Sequence, residues 1–154
     1  MTPNRVETMP QPVLVLGLAG LIPFIGLSLQ VATGHPLDAR LTGPALYALL
    51  IYGAVILAFL GGIQWGLAVA SADRSDAWRR YGFSVLPALV AWAGLWLGGR
   101  NGLITLAAGV GLWGLYELWS TGLGEAPGWY GRQRLGLTVA AVAALGAAAR
   151  FGPF

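Results

Sequence analysis

Apolar residues in this chain come in long runs, and polar residues collect in the short gaps between them. The runs cover residues 13–33, 44–71, 81–98, 103–120 and 135–151. The first three hold no charged side chain, the fourth holds Glu117, and the fifth ends beside Arg150. About 20 apolar residues in helical form cross a hydrocarbon core of about 30 Å. Runs of this length are too long and too continuously apolar for barrel strands, which alternate over about ten residues. Helices also satisfy every backbone group internally, as lipid requires. The pattern predicts an all-α, polytopic membrane helix bundle of five transmembrane helices in one domain. Pro23 predicts a kink in the first run, and the length of the second predicts tilt. The short polar segment 98–102, Gly98-Gly99-Arg100-Asn101-Gly102, predicts a tight turn that makes the third and fourth spans antiparallel neighbours.

Composition strengthens this picture. Of the 154 residues, 56% are hydrophobic and 10% charged, with a mean hydropathy of +0.68. A soluble domain carries roughly 25% charged residues. There is no cysteine, which excludes disulfides and thiol chemistry. The net charge of +3 comes from arginines scattered at span ends. They form no basic face, so nucleic acid is not an expected partner, and they serve better as topology signals and headgroup anchors. Arg5, Arg74, Arg79, Arg80, Arg132 and Arg134 fall on one side, against Arg40, Arg100 and Arg150 on the other. That imbalance predicts a cytoplasmic N-terminus. The N-terminal run exceeds a signal-peptide core of roughly 7–15 residues, so no cleavable signal is expected.

In lipid, helices associate by close packing and hydrogen bonds. Small residues recur every fourth position at Ala54, Ala58, Gly62, Gly66 and Ala70, and again at Gly136, Ala140, Ala144 and Ala148. Gly94 and Gly98 are spaced likewise in the third run. These stripes are expected to pack inside the bundle, with the second span central; the alternative use of Gly62 and Gly66 is a homodimer seam. Trp78, Trp119 and Trp129 suit the membrane interface. Trp65, Trp92, Trp96 and Trp113 lie deeper and either line a cavity or fill the bundle.

Polar side chains inside spans invite a functional reading. A glutamate near lipid protonates or takes a cationic partner. Gln64, Glu117, Arg132 and Arg134 are therefore expected to form one polar cluster near the cytoplasmic side. Trp65, Tyr116 and Trp129 would wall it, with Tyr52, Trp92 and Tyr130 as further cavity or interface aromatics. Catalytic constellations are absent: His35 is the single histidine, no paired carboxylates share a span, and no phosphate loop occurs. No enzyme activity, cofactor or metal is expected.

Several segments carry a family resemblance. Residues 52–66, closing on Gly61-Gly62-Ile63-Gln64-Trp65-Gly66, resemble the signature of the DUF3429 family of transmembrane protein 69-like membrane proteins. Residues 16–24, ending in Pro23-Phe24, do so too, as do Leu86-Pro87 with Trp92. Pro127, Trp129, Tyr130, Arg132, Arg134, Leu135 and Thr138 look like the family's closing motif. Members often carry a basic residue where this chain has Gln64, so no charged role is implied there. The resemblance implies a membrane location, bacterial inner (cytoplasmic) or mitochondrial inner, and no established activity. In length, span number and tryptophan content the chain is also similar to the translocator protein family, at the level of architecture alone. Two functions follow as expectations. The first is an accessory or scaffold subunit, associating with a larger membrane complex or forming a homodimer. The second is a binder or transporter of a small hydrophobic ligand, a lipid or tetrapyrrole.

Overall fold

The computed structural model describes residues 9–34, 39–70, 76–122 and 128–154. The expectations placed on Arg5, His35, Arg74 and Pro127 lie outside the described residues. The helices are α1 (Gln11–Ala19), α2 (Leu21–Thr33), α3 (Thr42–Ala70), α4 (Ala77–Leu97), α5 (Gly99–Gly122) and α6 (Gly128–Phe151), with a 3-10 turn at Ala39–Leu41 before α3. Together they make an all-α membrane helix bundle. Four stretches are long and apolar enough to cross a membrane: Gln11–Thr33, Thr42–Ala70, Gly99–Ser120 and Trp129–Phe151. At 21 residues α4 has the length as well. Its hydropathy is diluted by Arg79, Arg80, Ser84, Pro87 and its tryptophans.

α1 and α2 are two halves of one apolar run, and they part at Gly20 rather than at Pro23 itself. Proline lacks the N–H that would bond the carbonyl four residues earlier, and its ring crowds that turn. The disturbance therefore appears on the N-terminal side of Pro23. Tyr52 donates its hydroxyl to the Gly20 carbonyl at 2.8 Å, which ties the junction to α3.

The bundle is a ring in which each long helix packs on the next: α2 on α3, α3 on α4, α4 on α5, α5 on α6, and α6 back on α2. α3 and α5 also touch across it. The expected central position of α3 is thus shared with α5. Leu49, Leu57, Leu60, Leu103, Leu106 and Leu145 form the fully buried centre.

The close approaches are made by glycines, at positions only partly anticipated. A Cβ on Gly61 would strike the Ser84 carbonyl and sit 3.2 Å from the Pro87 ring. A Cβ on Gly102 would strike the Gly94 carbonyl, so α4 and α5 meet backbone to backbone. Gly94 is buried as expected, whereas Gly62 and Gly66 are exposed and a Cβ on either would meet nothing within 4 Å. The stripe from Ala54 to Ala70 begins buried at Ala54, is half-buried at Ala58, and is outward-facing at Gly62, Gly66 and Ala70. On α6 the sequence runs the other way: Gly136 is exposed, Ala140 and Ala144 are half-buried, and Ala148 is buried. Internal packing by whole stripes is therefore corrected. A strict four-residue step advances about 40° too far on each repeat of a 3.6-residue helix, so the stripe winds from one face to another.

The turn between α4 and α5 is tighter than expected. α5 already begins at Gly99, and Arg100, Asn101 and Gly102 belong to the helix. Gly98 (φ +59°) and Gly99 (φ +47°) hold the left-handed backbone that reverses the chain.

Candidate functional site

Glu117 lies on α5, one turn above its C-terminal end, and is 0% exposed. α6 supplies its partners. Arg134 donates Nε–H to Glu117 Oε2 at 2.8 Å, and Tyr130 donates its hydroxyl to Oε1 at 3.0 Å. Tyr130 and Arg134 are four residues apart, about 40° around the helix, so both reach one carboxylate. Isolating a carboxylate in a low-dielectric interior costs several kcal/mol (roughly), and pairing plus hydrogen bonding offsets that cost. Of the Arg134 guanidinium only Nε is hydrogen-bonded among the described residues.

The expected cluster is thus assembled in half. Glu117 and Arg134 meet. Arg132 is exposed and Gln64 half-buried, and neither hydrogen-bonds among the described residues. Two residues along a helix is a rotation of about 200°, so Arg132 points away from the face that carries Arg134. The aromatics divide similarly. Tyr116 belongs to a stack on the α4–α5 side, with ring centroids 4.9 Å from Trp113 and 6.0 Å from Phe83. Trp129 packs edge-on against Tyr130. Trp65 is exposed and packs on Tyr81 at 4.8 Å. Trp92 and Trp96 face outward. Of the two uses open to the deep tryptophans, Trp65 and Trp92 serve neither as walls of the main cavity nor as core; a cavity lies elsewhere.

That cavity lies between α3 and α6, beside the junction of α1 and α2. Its volume is about 380 Å³ and it is partly open. Leu21, Phe24, Leu60, Ile63, Val110, Leu137 and Ala141 line it, and Tyr130, Gln133 and Arg134 form a polar end. α1 is its outer wall through Val13, Leu16 and Gly17. α1 buries no residue. Gln133 donates Nε2–H to the Val13 carbonyl at 2.8 Å. The absence of a side chain at Gly17 makes this possible, because a Cβ there would stand 2.7 Å from Gln133 Nε2. Gln133 and Gly17 were not singled out from the sequence. The signal available was Gln133 one residue before Arg134 in a run otherwise turning apolar.

These features define a small helical membrane protein with a buried carboxylate–guanidinium pair beside a lateral apolar cavity. The chain belongs to the DUF3429 family, described as a protein of unknown function, which it matches over residues 9–150. It is similar to transmembrane protein 69 of Xenopus tropicalis, 36% identical over 149 residues, covering 92% of this chain and 55% of that protein. It is also similar to transmembrane protein 69 of Mus musculus, 34% identical over 139 residues, covering 86% of this chain and 53% of that protein. The chain therefore spans about half the length of the curated relatives it matches. No solved structure matches it.

Proposed function

We propose that the protein is a non-catalytic membrane receptor or carrier for a small, neutral amphiphile, held in the cavity between α1, α2, α3 and α6. The observation that carries this reading is the coincidence of an apolar cavity with a polar end in which Arg134 retains unspent N–H donors. Pockets for small molecules span roughly 300–1,000 Å³ with mostly apolar walls and a few placed polar groups. A cavity of about 380 Å³ is at the small end, which favours a chain-like lipid or headed isoprenoid over a tetrapyrrole macrocycle. Glu117 already neutralises Arg134, so the polar end offers donors without a net charge. A head group with a carbonyl or ether oxygen suits it better than an anion does.

α1 supplies the route of entry. It has no buried residue, joins α2 at a helix break, and bonds to α6 through Gln133. Elements with little buried surface open at low free energy. Swinging α1 about Gly20 uncovers the cavity toward the lipid.

Native mass spectrometry of protein extracted in mild detergent tests this reading. The expected result is a co-purifying neutral lipid of low mass, retained by the wild type and lost in Leu137→Trp, which fills the cavity. An empty wild-type protein, or a Leu137→Trp variant that keeps the lipid, refutes it. The accessory-subunit reading draws on a different feature, exposed Trp65 and Trp78 beside half-buried Tyr81 at one end of α3 and α4. Stoichiometric co-purification lost on Trp78→Ala would support that alternative.

A further inference from the structure

On the opposite flank of the bundle, α5 and α6 enclose an open groove of about 980 Å³. Its floor is built from small residues, among them Ala108, Gly111 and Gly146. It runs along α5 from Arg100 to Leu115, about 22 Å at 1.5 Å per residue. One leaflet of a hydrocarbon core is about 15 Å deep, half of about 30 Å. The groove is thus long enough to take the acyl chains of one leaflet over their full depth.

Arg100 and Arg150 close one end of it. They come from the first turn of α5 and the last turn of α6, so they stand together at the end of the bundle away from Glu117. Both are exposed. Arg150 lies over the Phe151 ring, 5.4 Å from its centroid, and neither arginine forms an ion pair among the described residues. The described acids, Asp76 and Glu117, are both at the other end. A guanidinium is a planar fork of donors that matches a phosphate.

We propose that this groove is a binding site for a diacyl phospholipid with a net negative head group, its chains along the α5–α6 floor and its phosphate between Arg100 and Arg150. The position of the arginines selects the occupant. A neutral lipid without phosphate would leave both cations unpaired, and a zwitterionic lipid brings its own ammonium beside the phosphate, which two neighbouring arginines repel. This site is independent of the cavity behind α1 and stands whether or not that cavity holds a ligand.

Titration of the delipidated full chain in detergent with phosphatidylglycerol and with phosphatidylcholine tests the assignment. At about a five-fold gain per interfacial arginine, the two together should favour phosphatidylglycerol by about twenty-five-fold. Arg100→Gln combined with Arg150→Gln should bring the two lipids to equal affinity. Gly146→Phe should weaken both, because a Cβ at Gly146 meets nothing within 4 Å and the ring can occupy the groove without a clash. Unchanged melting of each lipid-free variant confirms that folding is intact. Equal binding of both lipids by the wild type overturns the proposal. So does an anionic preference that survives the double substitution, or a second copy of the chain found seated in the groove.

Discussion

Removing the Arg134 side chain is the sharpest perturbation of the buried pair. Arg134→Leu keeps the apolar stem and deletes the guanidinium that Glu117 holds at 2.8 Å. The carboxylate is fully buried and the Arg134 side chain is 14% exposed. Water can therefore replace the lost partner at the carboxylate only if the helices separate. Breaking a buried pair from one side costs about 3–5 kcal/mol. At roughly 2–4 °C per kcal/mol for a chain of this size, the melting temperature in mild detergent should fall by about 6–20 °C. The intrinsic fluorescence of seven tryptophans gives a direct reading of the transition. Replacing both partners, Glu117→Leu with Arg134→Leu, removes the buried charges together and should recover most of the loss, since apolar replacements of buried pairs are near neutral. The recovery falls short by about 1 kcal/mol, because the Tyr130 hydroxyl loses its acceptor. Salt should leave the Arg134→Leu effect almost unchanged, since screening acts weakly on buried pairs. A coupling below about 0.5 kcal/mol in this double-mutant cycle would refute the reasoning, because Glu117 and Arg134 would then be independent residues.

Two further outcomes follow from the packing and the arginine distribution. Gly61→Ala should cost about 1–3 kcal/mol, since its Cβ has no room against Ser84 and Pro87. Gly62→Ala and Gly66→Ala should stay within about 0.5 kcal/mol of wild type, and a larger loss at either in detergent melts would place a second copy on that face. The chain has no cysteine, so single substitutions can be labelled without background. Trp78→Cys should react with an impermeant maleimide only from the cytoplasmic side and Arg150→Cys only from the other; the reverse pattern contradicts the N-in orientation.

Much of the architecture was legible before any helix was placed. The apolar runs identify helices because the requirement they meet is local: each backbone donor finds an acceptor four residues away, whatever the neighbours. Glu117 and Arg134 were legible as partners for the same kind of reason, a charge deep in an apolar run having few tolerable environments. Gln64 and Arg132 were drawn into the same cluster by depth alone, and depth ignores rotation. The helix phase separates Arg132 from Arg134 and aligns Tyr130 with it.

The small-residue stripes show the boundary most clearly. Spacing suggested that Gly62 and Gly66 pack inside, yet the packed face of α3 uses Gly53, Ala54, Leu57, Leu60 and Gly61, a mixture of three- and four-residue steps. Local chemistry in this chain determined that there are helices, how long they are, and that a buried carboxylate needs a cation. Only the assembled bundle decided which face of each helix turned inward, and that α3 and α6 stand apart to leave a cavity. Helix formation is satisfied within each segment, whereas facing and spacing depend on how large and small side chains of distant segments fit one another.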